Sequence, residues 1–151
     1  MKIIACDPGT FETGYVIFDG SKVIKADIVA NENMIHILRY AAMDESITDC
    51  AIEMVEARGM PVGKETFETV LIVGRLFQQW LVTRCTRPEL IYRRAVKIHL
   101  CGSTKAKDGN IRQALIDKIG PVGVKKNPGP CFGVTSHCWA ALAVAVTALN
   151  I

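Results

Sequence analysis

Residues 3–18 read Ile3-Ile4-Ala5-Cys6-Asp7-Pro8-Gly9-Thr10-Phe11-Glu12-Thr13-Gly14-Tyr15-Val16-Ile17-Phe18. An apolar run ends in a single aspartate, a Pro-Gly turn follows at once, and a second apolar run starts at Tyr15. The pattern predicts a buried strand over 2–6, a tight reversal and a second strand over 14–18. A carboxylate at the tip of a buried strand is costly to desolvate unless a cation or phosphate chemistry uses it. Asp7 is therefore the first candidate functional residue.

Outward from this hairpin, Asp19-Gly20-Ser21-Lys22 is a turn signal that returns the chain into a third strand over 23–29. Asn31 is placed to cap a helix over 32–43, with Met34, Ile35, Leu38, Ala41 and Ala42 on one face. A short apolar strand is expected over 48–55, interrupted by Glu53. After a Gly/Pro loop, a long helix is expected over 64–84. Phe67, Val70, Leu71, Gly74, Phe77, Gln78 and Leu81 recur along it at helical spacing. A strand over 90–92, a brief helix over 94–100 and an amphipathic helix over 107–119 follow. Residues 120–133 read as a basic Gly/Pro-rich loop, and a final helix over 136–149 is capped by Thr135 or Ser136. The order is three strands, helix, strand, helix, strand and helices. It predicts an α/β fold, a mixed sheet of an antiparallel meander plus parallel strands flanked by helices, in one domain over 1–151.

Composition narrows the function classes. Half of the 151 residues are hydrophobic and 22% are charged, which excludes a disordered chain. No apolar run reaches the ~18–20 residues of a membrane span, and Asp7 interrupts the N-terminal run, so neither a membrane protein nor a secretory leader is expected. A cytoplasmic location is the expectation. The six cysteines form no C-x-x-C pair and read as buried small hydrophobes rather than a zinc site. Net charge is only +3, but residues 84–126 hold eleven Lys and Arg against Glu89, Asp108 and Asp117. A basic half beside an acidic cluster suits a polyanion brought to a metal.

Two further residues join Asp7. Glu53 ends its strand, and two carboxylates at neighbouring strand ends ask for a hard divalent cation, Mg²⁺ or Mn²⁺. His137 opens an otherwise apolar helix and suits a ligand or general-base role beside the two acids.

This ordered set resembles the RuvC-type Holliday-junction resolvases of the RNase H-like superfamily, and in particular its small phage and prophage members. Ile4-Ala-Cys-Asp7-Pro8-Gly9-Thr10 with Thr13-Gly14-Tyr15 is similar to the opening strand and catalytic aspartate. Ala51-Ile52-Glu53 is similar to the catalytic glutamate strand. Gly102 to Asp108 with Ile111-Arg112-Gln113 is similar to the basic loop and following helix, and His137 to Ala145 to the last, ligand-bearing helix. The resemblance implies an RNase H-like fold and a homodimer that nicks four-way DNA junctions in pairs with Mg²⁺ or Mn²⁺. It implies Asp7, Glu53 and His137 as metal-binding catalytic residues, and Lys105 and Lys107 as phosphate contacts. Thr10, Arg112, Lys125 and Lys126 are further candidates for DNA contact. The chain departs from the family pattern twice. Ala140 stands where a further aspartate is usual, so one metal ligand is missing or comes from Glu56, Asp108 or Asp117. Glu56 stands where an aromatic is frequent, with Met60 or Phe67 as substitutes. Two rival readings come from other classes. One is a branched-DNA binder that has lost activity. The other is a sugar-kinase or actin-like ATPase, for whose two lobes the chain is too short.

Overall fold

The computed structural model describes residues 2–57, 59 and 61–151; Met60 lies outside them. Five strands form one sheet in the order β3-β2-β1-β4-β5. β1 (Lys2–Pro8), β2 (Glu12–Phe18) and β3 (Val23–Ala30) make the antiparallel meander, while β4 (Ile47–Met54) and β5 (Glu89–Tyr92) run parallel to β1. The meander follows from its turns. Gly9 N–H donates to Glu12 O at 2.9 Å, and Asp19 N–H to Lys22 O at 3.2 Å with Gly20 at φ +92°.

The inner strands are buried on both faces, and their two-residue alternation sorts the core into two layers. Ile4, Cys6, Tyr15, Cys50 and Ile52 pack against α1 (Asn31–Met43) and α2 (Lys64–Arg84). Ile3, Ala5, Val16, Phe18 and Ala51 pack against α5 (Cys138–Ala148), with α3 (Arg93–Cys101) and α4 (Asp108–Ile119) completing that layer. α5 is apolar all round because it is enclosed by the sheet and α3–α4. Eight of its eleven residues are buried.

Several local readings change. The α1 N-cap is Ala30, and the buried Asn31 side chain turns away from its helix to the 9–13 turn. The residue at the α5 cap position is His137, with no side-chain cap from Thr135 or Ser136. Residues 120–133 contain a small hairpin, β6 (Gly123–Val124) with β7 (Asn127–Pro128), that carries Lys125 and Lys126 at its tip. On α2 the buried residues are Ile72, Val73, Leu76 and Trp80, while Phe67, Val70 and Leu71 face outward. The helix has two apolar faces, and the sheet takes the one with Trp80. Four cysteines are buried as expected, Cys85 is exposed and Cys101 is half-buried.

Candidate functional site

The strand alternation that buries Ile3 and Ala5 under α5 puts Asp7 on the same face. In the parallel ladder Ala5 pairs with Ala51 and Cys6 with Ile52, so the next step along both strands brings Asp7 beside Glu53. The two carboxyls lie near enough for each charge to act on the other's ionisation. They sit at the carboxyl ends of parallel strands, where open α/β sheets form their crevices.

His137 reaches them from the start of α5. Its Nδ1 lies 3.3 Å from Asp7 Oδ2. This approach depends on Gly14, the partner of Asp7 across the β1–β2 ladder. A Cβ at Gly14 would lie 2.9 Å from His137 C and Cβ, so only glycine admits the helix start at this depth. Ser136, at φ +42°, makes the turn that delivers His137 there. A left-handed serine is uncommon, and such backbone positions cluster at functional sites.

Asp7, Glu53 and His137 line one cavity of about 370 Å³ together with Arg93, Asp108, Ser136, Trp139 and Ala140. Arg93 starts α3 directly after β5. Its Nη1 lies 3.7 Å from Glu53 Oε2, an ion-pair distance without a hydrogen bond, and its Nη2 donates to Asp108 Oδ1. In the sequence Arg93 stands out only as one of the basic residues of 84–126. Its position at the end of a parallel strand was the signal for a place in the site.

Burial dominates the electrostatics. Burial pushes Glu53 up to about 8, and the neighbouring charge of Asp7 adds to this while Arg93 opposes it. Burial also raises Asp7, against the opposing pull of His137 and Arg93. Two buried carboxyls side by side hold a proton between them when no cation is near.

The donor set fits a hard divalent cation. Glu53 Oε2 is buried with no hydrogen-bond partner, and the carboxyls of Asp7 and Glu53 with one imidazole make an oxygen-rich set. Among the described residues no three His, Cys, Asp or Glu side chains form a ready-made cluster for a metal ion. The pairwise contacts above are what the fold brings together.

The other expected residues divide. Ala140 lines the cavity and offers no ligand atom, whereas Asp108 lines it with an exposed carboxylate. Glu56 does not reach it. β4 ends at Met54, and Glu56 borders a separate cleft with Ala57, Arg94, Lys97 and Thr104. Asp117 accepts from Gln113 Nε2 and is not among the residues lining the Asp7 cavity. Arg112 stacks over the ring of Trp139 at 4.8 Å, which puts its charge beside the cavity. Lys105 and Lys107 are exposed on the α3–α4 connection, and Lys125 and Lys126 are exposed on the small hairpin. Thr10 lies in the 9–13 turn, its carbonyl held by Asn31 Nδ2 at 3.1 Å.

No protein-family model and no curated protein sequence matches the chain. Solved structures do. The chain is similar to Thermus thermophilus RuvC, with a TM-score of 0.71 and 16% identity over 99% of this chain and 94% of that one. It is similar also to T. thermophilus RuvC in complex with Holliday junction substrate, with a TM-score of 0.73 and 15% identity over 97% and 92%. The order of the five strands and the helices around them thus belong to a known architecture: over nearly its whole length this chain has the RuvC fold, an RNase H-like mixed sheet flanked by helices.

Proposed function

We propose that this protein is a Mg²⁺- or Mn²⁺-dependent endonuclease that resolves four-way DNA junctions by paired nicking. The observation that carries this reading is the convergence of Asp7, Glu53 and His137 on one cavity that also holds Arg93, Glu53 Oε2 being buried without a hydrogen bond. Asp7 and Glu53 would hold the cation, with His137 as a further ligand or as the group that takes a proton from the attacking water. The cation, when bound, supplies Lewis acidity that stabilises the attacking and leaving oxygens of a phosphodiester. Arg93 and Arg112 would neutralise the phosphate, and Lys105, Lys107, Lys125 and Lys126 the flanking backbone. Binding should therefore weaken steeply with salt.

Junction specificity rests on the likeness to RuvC, one of whose structures holds a Holliday junction substrate. A four-way junction has two-fold symmetry, so paired cuts require two sites and thus a homodimer. The outward face of α2 supports this. Phe67 and Leu71 are 66% and 65% exposed, and Gly74 has open space above it where a second helix could approach closely.

A labelled synthetic four-way junction incubated with the protein and Mg²⁺ or Mn²⁺ tests the reading, beside Asp7→Asn and a matched duplex. Paired nicks near the crossover that Asp7→Asn abolishes are expected. Ala140 favours one alternative, a branched-DNA binder without cleavage. Junction binding with no nicks in either metal would establish it. Cutting of flaps, forks or RNA–DNA hybrids in preference to junctions would keep the nuclease and reassign its substrate.

A further inference from the structure

A second cavity, of about 490 Å³, lies on the other side of Asp7 and His137. Pro8, Phe11, Glu12 and Glu65 line it with them. Phe11 is 85% exposed, and it does not sit on a loose loop. Asn31, buried beneath the turn, donates from Nδ2 to Gly9 O at 3.0 Å and Thr10 O at 3.1 Å. Its own N–H donates to Phe11 O at 3.0 Å, and it accepts from Thr13 Oγ1 at 2.7 Å. The backbone under a solvated aromatic ring is thus fixed from below, directly beside the candidate catalytic aspartate.

The two cavities share Asp7 and His137 but differ in charge. The first sets the Arg93 guanidinium, with Arg112 stacked on its Trp139, against the carboxyls of Asp7, Glu53 and Asp108. The second also holds three carboxylates, Asp7, Glu12 and Glu65, but no Lys or Arg among the described residues lines it, so nothing there offsets their repulsion of phosphate and a neutral group fits better. In a nucleotide the deoxyribose joins the phosphate to the base, the neutral group that has a π face. A base offers a π face to an aromatic ring whatever its identity, and cytosine or adenine also offers an exocyclic amino group to a carboxylate.

We propose that the Phe11 cavity is a nucleobase subsite. The Phe11 ring stacks on an unpaired base adjoining the phosphate at Asp7 and Glu53, while Glu12 and Glu65 keep the backbone on the Arg93 side. This rests on the nuclease reading above and adds to it a site for the base and a reason why distorted DNA is preferred to duplex.

The test uses a four-way junction with 2-aminopurine at the crossover, whose fluorescence rises when the base leaves its stack. Wild-type protein in EDTA is expected to raise the signal, Phe11→Tyr to keep the rise and Phe11→Ala to lose it. In Mg²⁺, Phe11→Ala is expected to slow cleavage on the order of tenfold on the paired junction. A mismatch that leaves the same base unpaired should restore most of the rate, an effect that general destabilisation would not produce. Equal slowing on both substrates, or an unchanged rate and fluorescence, would overturn the subsite and leave the nuclease standing. So would a shift from dimer to monomer in Phe11→Ala, which would make the ring a contact between copies of this chain. Wild-type protein that neither binds nor cuts any branched DNA would remove the nuclease reading itself.

Discussion

Gly14 and His137 are in backbone contact: a methyl group at Gly14 would lie 2.9 Å from the Cβ of His137. Since Gly14 is also the ladder partner of Asp7, one glycine sets the distance between the imidazole and the carboxylate. Gly14→Ala should push the start of α5 off the sheet. The expected cost is about 1–3 kcal/mol in urea melts, as for other overpacked cores. Cleavage should fall at least to the level of His137→Ala. Wild-type cleavage in both variants would take His137 out of the chemistry.

The carboxyl pair makes stability depend on pH. Glu53 is raised from 4.5 to about 8, and Asp7 is raised as well. Between pH 4.5 and 8 the folded, metal-free protein retains a proton that the unfolded chain has lost. The stabilisation is thus complete below pH 4.5 and disappears as pH rises through 8. Melting in EDTA should occur at lower temperature at pH 8 than at pH 5, with a loss of roughly 1–3 kcal/mol. Glu53→Gln should flatten most of this slope. An equal slope in wild type and Glu53→Gln would place its origin elsewhere.

Cation binding should oppose that trend. A metal at this site must displace the shared proton, so Mn²⁺ should bind better at pH 8 than at pH 6. At a hundredfold excess over Kd it should stabilise by about 2–3 kcal/mol. Differential scanning fluorimetry with and without Mn²⁺ checks this, and Asp7→Asn should remove the shift. A shift of equal size in Asp7→Asn would locate the metal away from the site.

Asn31 should behave as a positioning residue for the Asp7 turn. Asn31→Ala leaves the half-buried carbonyls of Gly9 and Thr10 and the buried Thr13 hydroxyl without this partner, at a cost of about 1–3 kcal/mol. Hydrogen exchange at the amides of 9–13 should quicken more than in the distant β4–β5 ladder. Uniform acceleration across the sheet would indicate global destabilisation only.

The exposed face of α2 predicts a separation of assembly from folding. Leu71→Glu should dissociate the proposed homodimer in sedimentation or light scattering. Because the side chain lies outside the monomer core, thermal stability measured on dilute monomer should change by less than about 0.5 kcal/mol. A monomeric wild type would show that this face serves another purpose.

Much of the fold was legible because strands and helices announce themselves by period. The strands near 2–6, 14–18, 23–29 and 48–55 and the helix over 64–84 all appear in the structure. Asp7 and Glu53 were legible for a related reason: a charge at the end of an apolar strand is conspicuous. Asn31 misled. An asparagine before a helix ordinarily caps it, but here the polar groups that need it come from the 9–13 turn. The direction of α2 was equally hidden, because its sequence has two apolar faces and only the sheet selects one.

By itself, then, the sequence determined the elements, their order and the two carboxylates, since these follow from local pattern and from the cost of burying charge. Tertiary structure decided the rest of the site. It set His137 on Gly14, brought Arg93 and Asp108 to the cavity, excluded Glu56 and exposed Phe11. Those relations join residues far apart in the chain. They arise from how the strands are ordered and how closely α5 packs, and no local pattern encodes either.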